Sequence, residues 1–432
     1  MPLAFHAAPP DGHWLNDPNA LIATPEGFRL LAQHRGDSPH FAVVDWGSLS
    51  SWNMLDWHWE GIAIHASPAA SAYSGSLLQI GGRSEIFHTV HDHGTSSERQ
   101  VRLVASDASS MRWYAEPVSG LPGARRNLRD PVVFQYEEGW RMLLAASCDW
   151  RDWRAGDASE LRVFASDDLA IWREAGRIGP WHDPGVMWEV PALTRQDGRD
   201  LLFVSTVDRR AGGADCGVRA WSGRFDGATF HRDDPAGSPV DLGPDFYAMI
   251  PGSGDGWPGT PPFVAWLASW NTAREPVWPG FSGGPISLPR VVKARDGRVT
   301  HEPLIGAAAF RPGDERPIAG LATAEIAGGD PFSLTLTTGK ARLLIEGDPR
   351  SGLLRLDRAA GAPFTWRAEH RGVLALAASR TVRLFVDGPA IELFLEPDGL
   401  AASVVLPGHL ADAVLEVDGR AAPLDWSSYD RA

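Results

Sequence analysis

The chain has 432 residues, 44% of them hydrophobic, enough for a large core and too many for one ordinary domain, so two are expected. A formal charge of −14 leaves no basic surface to neutralise phosphates, which argues against nucleic-acid or anionic-membrane partners and for a small neutral one. Cys148 and Cys216 stand far apart without metal-ligand spacing, so neither a disulfide framework nor a zinc site is expected.

The opening MPLAFHAAPPDG has no basic n-region and no continuous apolar stretch, and no later run reaches the roughly 18 apolar residues of a membrane span. The expectation is a cytoplasmic protein, or a secreted one if a signal was trimmed. From there the apolar segments are short and often alternate: FRLLAQ, RMLLAAS, LRVFAS, DLLFVST and FVAWLAS, divided by Gly, Pro, Asp and Ser. This pattern predicts an all-β chain. A polar turn running into an aromatic recurs at Trp57, Trp113, Trp172 and Phe230, in steps of 56, 59 and 58 residues. A period of that size predicts propeller blades, and five of them reach to about residue 300. The domain boundary falls near 295–315, with FRPGDERPIAG in a linker over 301–315. Beyond it PFSLTLTT, ARLLIEG, LLRLDRA, TVRLFVDG, AIELFLEP and AASVVLPG predict a β-sandwich over 316–432. The expected architecture is therefore a five-bladed β-propeller over 1–300 followed by that sandwich.

The same period applies to polar residues. Starting at Asp17 in HWLNDPNA, single steps land near Ser74 in YSGS, Asp130 in RDP, Glu189 in WEVP and Asp245 in DFYA. If this phase belongs to the innermost strands, all five side chains point into one funnel. Carboxylates crowded in one buried place repel, and a fold tolerates that mainly where chemistry needs them. Asp before Pro is also a common turn starter, but Glu189 before Val and Pro is a poor one. Carboxylates around a neutral, aromatic-rimmed pocket point to glycosidic bond cleavage.

HWLNDPNA, YSGS, RDP, WEVP and DFYA, in this order, resemble the signature blocks of family 32 glycoside hydrolases, the β-fructosidases that include invertases, inulinases and levanases. The likeness extends through SGRFDGATF and SGGPISLPR to VRLFVDGPAIELFLEPDG and covers nearly the whole chain. It implies release of terminal β-D-fructofuranosyl units from sucrose, fructo-oligosaccharides, inulin or levan by a retaining double displacement. Asp17 would attack C2 of the fructosyl unit, Glu189 would protonate the leaving oxygen and then activate water, and Asp130 would hold sugar hydroxyls and stabilise the transition state. Glu189 would carry a raised pKa beside ionised Asp17. Asn16, Gln33, Ser74 and Arg129 match positions that contact the fructosyl ring or its carboxylates. Phe41 falls near a wall position usually held by Trp, Trp14 is a stacking candidate, and Asp208 matches a position that touches the leaving group. Asp245 could equally anchor its own blade turn. The chain departs from the family with QHRG for QYNP at 33–36, WGSL for WGHA at 46–49 and WEVP for WECP at 188–191, which puts Val190 in place of Cys.

His91 and His93 in HTVHDHG share one face of a strand as a conceivable metal pair, but no third ligand is evident, and neither a metal nor a cofactor is expected. No nucleophile elbow, P-loop or dinucleotide fingerprint occurs. Two other functions compete: a fructosyltransferase using the same covalent intermediate, and a non-catalytic fructan-binding propeller, against which the presence of all three acids argues.

Overall fold

The computed structural model describes residues 3–9, 12–36, 41–105, 112–147, 158–181, 187–208, 215–254, 256–257, 259–273, 282–295, 298–313, 317, 319–359 and 365–429. Cys148 and part of the turn before Trp113 lie outside them. Five sheets follow one another along the chain, each built from consecutive antiparallel strands. Their innermost strands are Trp14–Thr24, Ala70–Ile80, Leu128–Tyr136, Met187–Gln196 and Tyr247–Pro251, in blades I to V. The ring closes where Ser282–Gly283, from the blade V segment, pairs in parallel with Trp14–Leu15 of blade I.

The aromatic period has a local cause in the hairpin between the two outer strands, described in blades I, III and IV. In blade I the indole of Trp57 donates to the Met54 carbonyl (3.1 Å), and in blade III Trp172 donates to Leu169 (3.1 Å). Met54 and Leu169 both have positive φ, at 62° and 64°. Short polar side chains fold the same turns: Asn53 Oδ1 accepts from the Leu55 and Asp56 amides, Asp168 Oδ1 from Ala170 and Ile171, and Asp226 Oδ1 from Ala228 and Thr229. An Asx turn followed by an aromatic lid is thus the repeated unit.

Two six-stranded sheets follow, and their facing sides share one core that includes Leu334, Leu336, Leu343, Ile345, Val382, Leu384, Ile391 and Leu393. The strand Ser379–Asp387 alternates: Val382, Leu384 and Val386 enter that core, while Phe385 joins Phe5, Leu55, Leu288, Phe310 and Phe394 between the domains. One sheet is therefore apolar on both faces, which explains the near-continuous run AIELFLE. The domain limits differ slightly from expectation. The outer strand of blade V ends at Pro303, and Arg311–Pro312 already pairs with the sandwich strand Asp425–Ser428, so the connection is 304–310 rather than 301–315. Pro-rich composition marked the segment, but a Pro at a sheet edge is compatible with pairing.

The N-terminal arm also crosses to the sandwich. The amides of Ala4, Phe5 and His6 donate to the Asp387 carboxylate, and the His6 ring bridges Asp387 (3.1 Å) and Glu392 (2.9 Å). Glu392 and Asp241 both bind Arg290 of blade V, which is buried. Arg358 of the sandwich pairs with Asp245 at 2.5 Å.

Candidate active site

Every inner strand breaks its pairing register near its middle. The shifts lie around Pro18, between Tyr73 and Gly75, between Arg129 and Val132, between Glu189 and Ala192, and between Tyr247 and Ile250. A bulge re-aims the side chains beside it, here toward the propeller axis. Three of the bulges place a non-glycine residue at positive φ: Asp130 (61°), Val190 (44°) and Ala248 (52°). Such backbone costs on the order of 1–3 kcal/mol and needs support. The support is a polar acceptor for each amide: Asp130 N donates to Thr89 Oγ1 (3.0 Å), Val190 N to Asp130 Oδ2 (2.9 Å) and Ala248 N to Ser205 Oγ (3.0 Å). In blade II the position is Gly75, whose amide donates to Asn19 Oδ1; a Cβ there would lie 2.0 Å from the Phe87 carbonyl oxygen.

The residues just before these bulge positions in blades I to IV meet in one pocket of about 210 Å³, and Tyr247 of blade V reaches it through Glu189. Its wall draws on all five blades: Asp17, Gln33 and Phe41; Tyr73 and Ser74; Arg129 and Asp130; Met187, Glu189 and Val207; and Trp270. A relay of hydrogen bonds orients Asp17. Trp14 Nε1 donates to Asn16 Oδ1 (2.8 Å), Asn16 Nδ2 to Gln33 Oε1 (2.6 Å), Gln33 Nε2 to Ser74 Oγ (2.9 Å), and Ser74 Oγ to Asp17 Oδ2 (2.9 Å). Asp17 Oδ1 is buried and accepts no bond from a described residue. Glu189 is held at both oxygens, by Arg129 Nη1 at Oε1 (2.7 Å) and by the Tyr247 hydroxyl at Oε2 (2.6 Å).

Electrostatics follow from crowding. Burial and then the Glu189 charge push the Asp17 pKa up to about 6, against the hydrogen bonds that lower it. Burial and the same charge hold Asp130 well above the usual carboxylate range, although Arg129 and the Val190 amide oppose them. Burial, then Glu189, also raises the Tyr247 phenol, which keeps it a donor. One carboxylate oxygen of a residue on the pocket wall is thus left without a hydrogen-bond donor while a second carboxyl is clamped by two. A pair so arranged can attack an electrophilic carbon with one group and exchange a proton with the other.

Residues 6–303 match the N-terminal domain of glycosyl hydrolases family 32. The chain belongs to glycosyl hydrolase family 32. It is 28% identical over 319 residues to raffinose invertase of Escherichia coli, covering 69% of this chain and 64% of that protein. With sucrose-6-phosphate hydrolase of Bacillus subtilis it shares 26% over 425 residues, 90% of this chain and 86% of the other. The crystal structure of exo-inulinase from Aspergillus awamori has the same fold, with a TM-score of 0.81 at 17% identity over 99% of this chain and 98% of that one.

For this family 32 chain the structure brings Asp17, Asp130, Glu189, Gln33, Phe41, Ser74 and Arg129 together at the pocket wall, and it corrects the placement of four others. Asn16 is fully buried behind the wall, where its side chain lowers the Asp17 pKa directly and also bonds Gln33, which leads through Ser74 to Asp17. Trp14 lies behind Phe41 and Trp270, with ring centroids 5.6 and 6.5 Å away, and offers the pocket no face. Asp208 ends the strand Arg199–Asp208 outside the pocket wall. Asp245 is out of phase: it turns to Arg358, Val405 and Thr272, so five side chains do not converge as the period implied. The residue of blade V that faces the acid is Tyr247, which stands 58 residues from Glu189, as good a step as any in the series. By the bulge geometry Arg129, not Asp130, is the counterpart of Glu189 and Tyr247. Trp270, Tyr73, Met187 and Val207 had no signal of their own beyond aromatic or apolar character. His91 stacks on Tyr73 (4.5 Å, 11°) and His93 bonds Ser71 Oγ (3.0 Å). Among the described residues no three ligating side chains gather around a metal position.

Proposed function

We propose that the protein is a retaining β-fructofuranosidase that removes terminal fructosyl units from sucrose or short fructans. The observation that carries this reading is the asymmetry of the two acids in one pocket, Asp17 with one oxygen that receives no hydrogen bond and Glu189 clamped by Arg129 and Tyr247. Asp17 bonds to C2 of the fructosyl unit as the glycosidic C2–O bond breaks, and the leaving oxygen takes the proton from Glu189. Glu189, now ionised, then takes a proton from water as that water attacks C2 and Asp17 leaves. Positive charge builds on the ring at both steps. Negative charge is crowded at Asp17 and Asp130, joined by Glu189 once it has given up its proton, and a cationic transition state relieves that crowding. Family membership and the names of the relatives, an invertase and a sucrose-6-phosphate hydrolase, support a fructosyl substrate.

The purified chain is tested on sucrose, sucrose 6-phosphate, raffinose, inulin and levan, with released fructose and glucose quantified separately. Equal fructose and glucose from sucrose is the expected result. Glucose in excess, with oligomers accumulating, replaces hydrolysis by transfer, and no release from any of the five overturns the reading. The double displacement is checked by azide with a Glu189→Ala variant on β-fructosyl fluoride, which yields fructosyl azide of retained configuration; inverted azide excludes a covalent intermediate on Asp17.

A further inference from the structure

Arg129 is held from two sides. Besides Glu189, its guanidinium donates through Nε (3.1 Å) to Glu98 Oε1, with Nη2 also 2.9 Å from that oxygen, and through Nη2 (2.6 Å) to Asn127 Oδ1. Glu98 lies on Ser97–Ala105 of blade II, is 1% exposed and forms no part of the pocket wall. It is itself pinned: its other oxygen accepts the Leu128 amide (2.7 Å), and His91 Nδ1 lies 3.3 Å from Oε1. Burial works against its charge, but Arg129 and these hydrogen bonds hold the Glu98 pKa below the usual carboxylate range, so it stays ionised.

We infer that Glu98 is a positioning residue of the reaction, one that sets how strongly Arg129 acts on the pocket acids by taking up part of the guanidinium's charge and hydrogen-bonding capacity. This rests on the fructosidase reading. Among the described groups around Arg129 are the carboxylates of Glu98, Glu189 and Asp130, the Tyr73 phenol and the Asn127 amide. Glu189 in turn faces Tyr247, Asp17 and Asp130, and Glu98 faces His91, whose ring meets His93 edge-on. With Glu98 ionised, one cation is divided among carboxylates that outnumber it, which keeps Asp130 hard to ionise and leaves Asp17 facing the Glu189 charge. Removing that charge gives the pocket the whole of Arg129.

Two variants change the charge in opposite directions. Glu98→Gln keeps the shape and an acceptor for Leu128, and it removes the negative charge. Both limbs of the pH profile of kcat/KM on sucrose should move to lower pH, by on the order of one unit. Asn127→Asp adds a carboxylate against the same guanidinium at a position whose φ of 53° Asp tolerates, and it should move both limbs to higher pH. Glu98→Asp, which retains the charge, should leave the limbs in place whatever its maximal rate. A purely structural Glu98 lowers the height of the profile without sliding it. The displacement is also read without turnover, from the pH at which the Tm of each variant parts from that of the same variant carrying Asp17→Asn. Failure of the fructosidase reading would leave that stability displacement in place. Unmoved limbs and an unmoved stability transition in Asn127→Asp, or the same direction of movement in Asn127→Asp and Glu98→Gln, overturn the inference, and Asn127→Asp decides the matter alone if Glu98→Gln does not fold.

Discussion

Arg358 of the sandwich donates to Asp245 of the propeller across 2.5 Å, and both side chains are buried. The same carboxylate accepts the Val405 amide (2.8 Å) and the Thr272 hydroxyl (3.0 Å). Two residues beyond Asp245 stands Tyr247, whose hydroxyl donates to Glu189, and two residues before Thr272 stands Trp270 of the pocket wall. A contact between domains therefore braces two parts of the site at once.

Arg358→Met should consequently cost stability and activity together. Removing one partner leaves Asp245 buried and unpaired, a loss of about 3–5 kcal/mol by comparison with other buried pairs. Urea unfolding measures it, and a loss under 1 kcal/mol would show that the pair is relaxed in solution. Deleting everything after residue 315 strips partners from Asp245, Arg290 and His6 simultaneously and should give aggregated protein on gel filtration.

His6 makes stability depend on pH at the alkaline end. Burial opposes its charge, but the hydrogen bonds and charges of Asp387 and Glu392 raise its pKa from 6.5 to about 9. The folded state then binds the proton more tightly than the unfolded chain. The added stability is complete below pH 6.5 and is lost as pH rises through 9, for about 3 kcal/mol in all. Unfolding free energies from pH 6 to 10 should fall across that window in the parent protein and run flatter in His6→Gln. A parent curve that is level from 6.5 to 9 contradicts the assignment.

The fold was legible because its repeat is written in residues that build the turns, such as Asp168 and Trp172, at blade spacing. The meeting of Asp17 and Glu189 in one pocket was legible for the same reason, together with the motifs around them. What the period misjudged is phase. A bulge adds one residue to a strand and turns its neighbour inward, so a step counted along the chain cannot tell Asp130 from Arg129, and steps that range from 56 to 59 residues leave room to take Asp245 for Tyr247, two residues on. Packing order was equally hidden: Trp14 and Phe41 are both aromatics near Asp17, and the three-dimensional sequence Trp14, Trp270, pocket decides which one meets a ligand. Glu98 lies in blade II on a strand with no motif, and its role depends on a long-range meeting with Arg129.

Tyr247→Phe removes one of the two donors on Glu189 while keeping the ring packed against Trp266. Turnover of sucrose should fall about tenfold or more, on the scale of one hydrogen bond to a charged group. The fructosylation step with β-fructosyl fluoride, whose leaving group needs little protonation, should fall less. Equal loss on the two substrates would mean that Tyr247 shapes the pocket rather than serving the acid.

Asp17→Asn separates chemistry from stability. The variant keeps the side-chain shape and an oxygen for Ser74, but it has no nucleophilic carboxylate, so kcat should drop by several orders of magnitude. Its stability should move the other way. The Asp17 pKa is about 6 in the folded protein against 3.8 for the free side chain, because burial and then the Glu189 charge disfavour its ionised form. The folded state holds that proton longer than the unfolded chain, so the parent loses stability as pH rises from about 4 to 6, by about 3 kcal/mol, and does not regain it above. Asparagine carries no charge to bury and avoids the loss. The two proteins should melt together near pH 4 and diverge above it, with Asp17→Asn the more stable at pH 7. On the proposed mechanism a protonated Asp17 does not attack, so the same titration should set the acid limb of activity in the parent, with kcat/KM falling as pH drops below 6. An Asp17→Asn protein less stable than the parent at pH 7 would show that the Ser74 hydrogen bond to the carboxylate outweighs the crowding of the three acids.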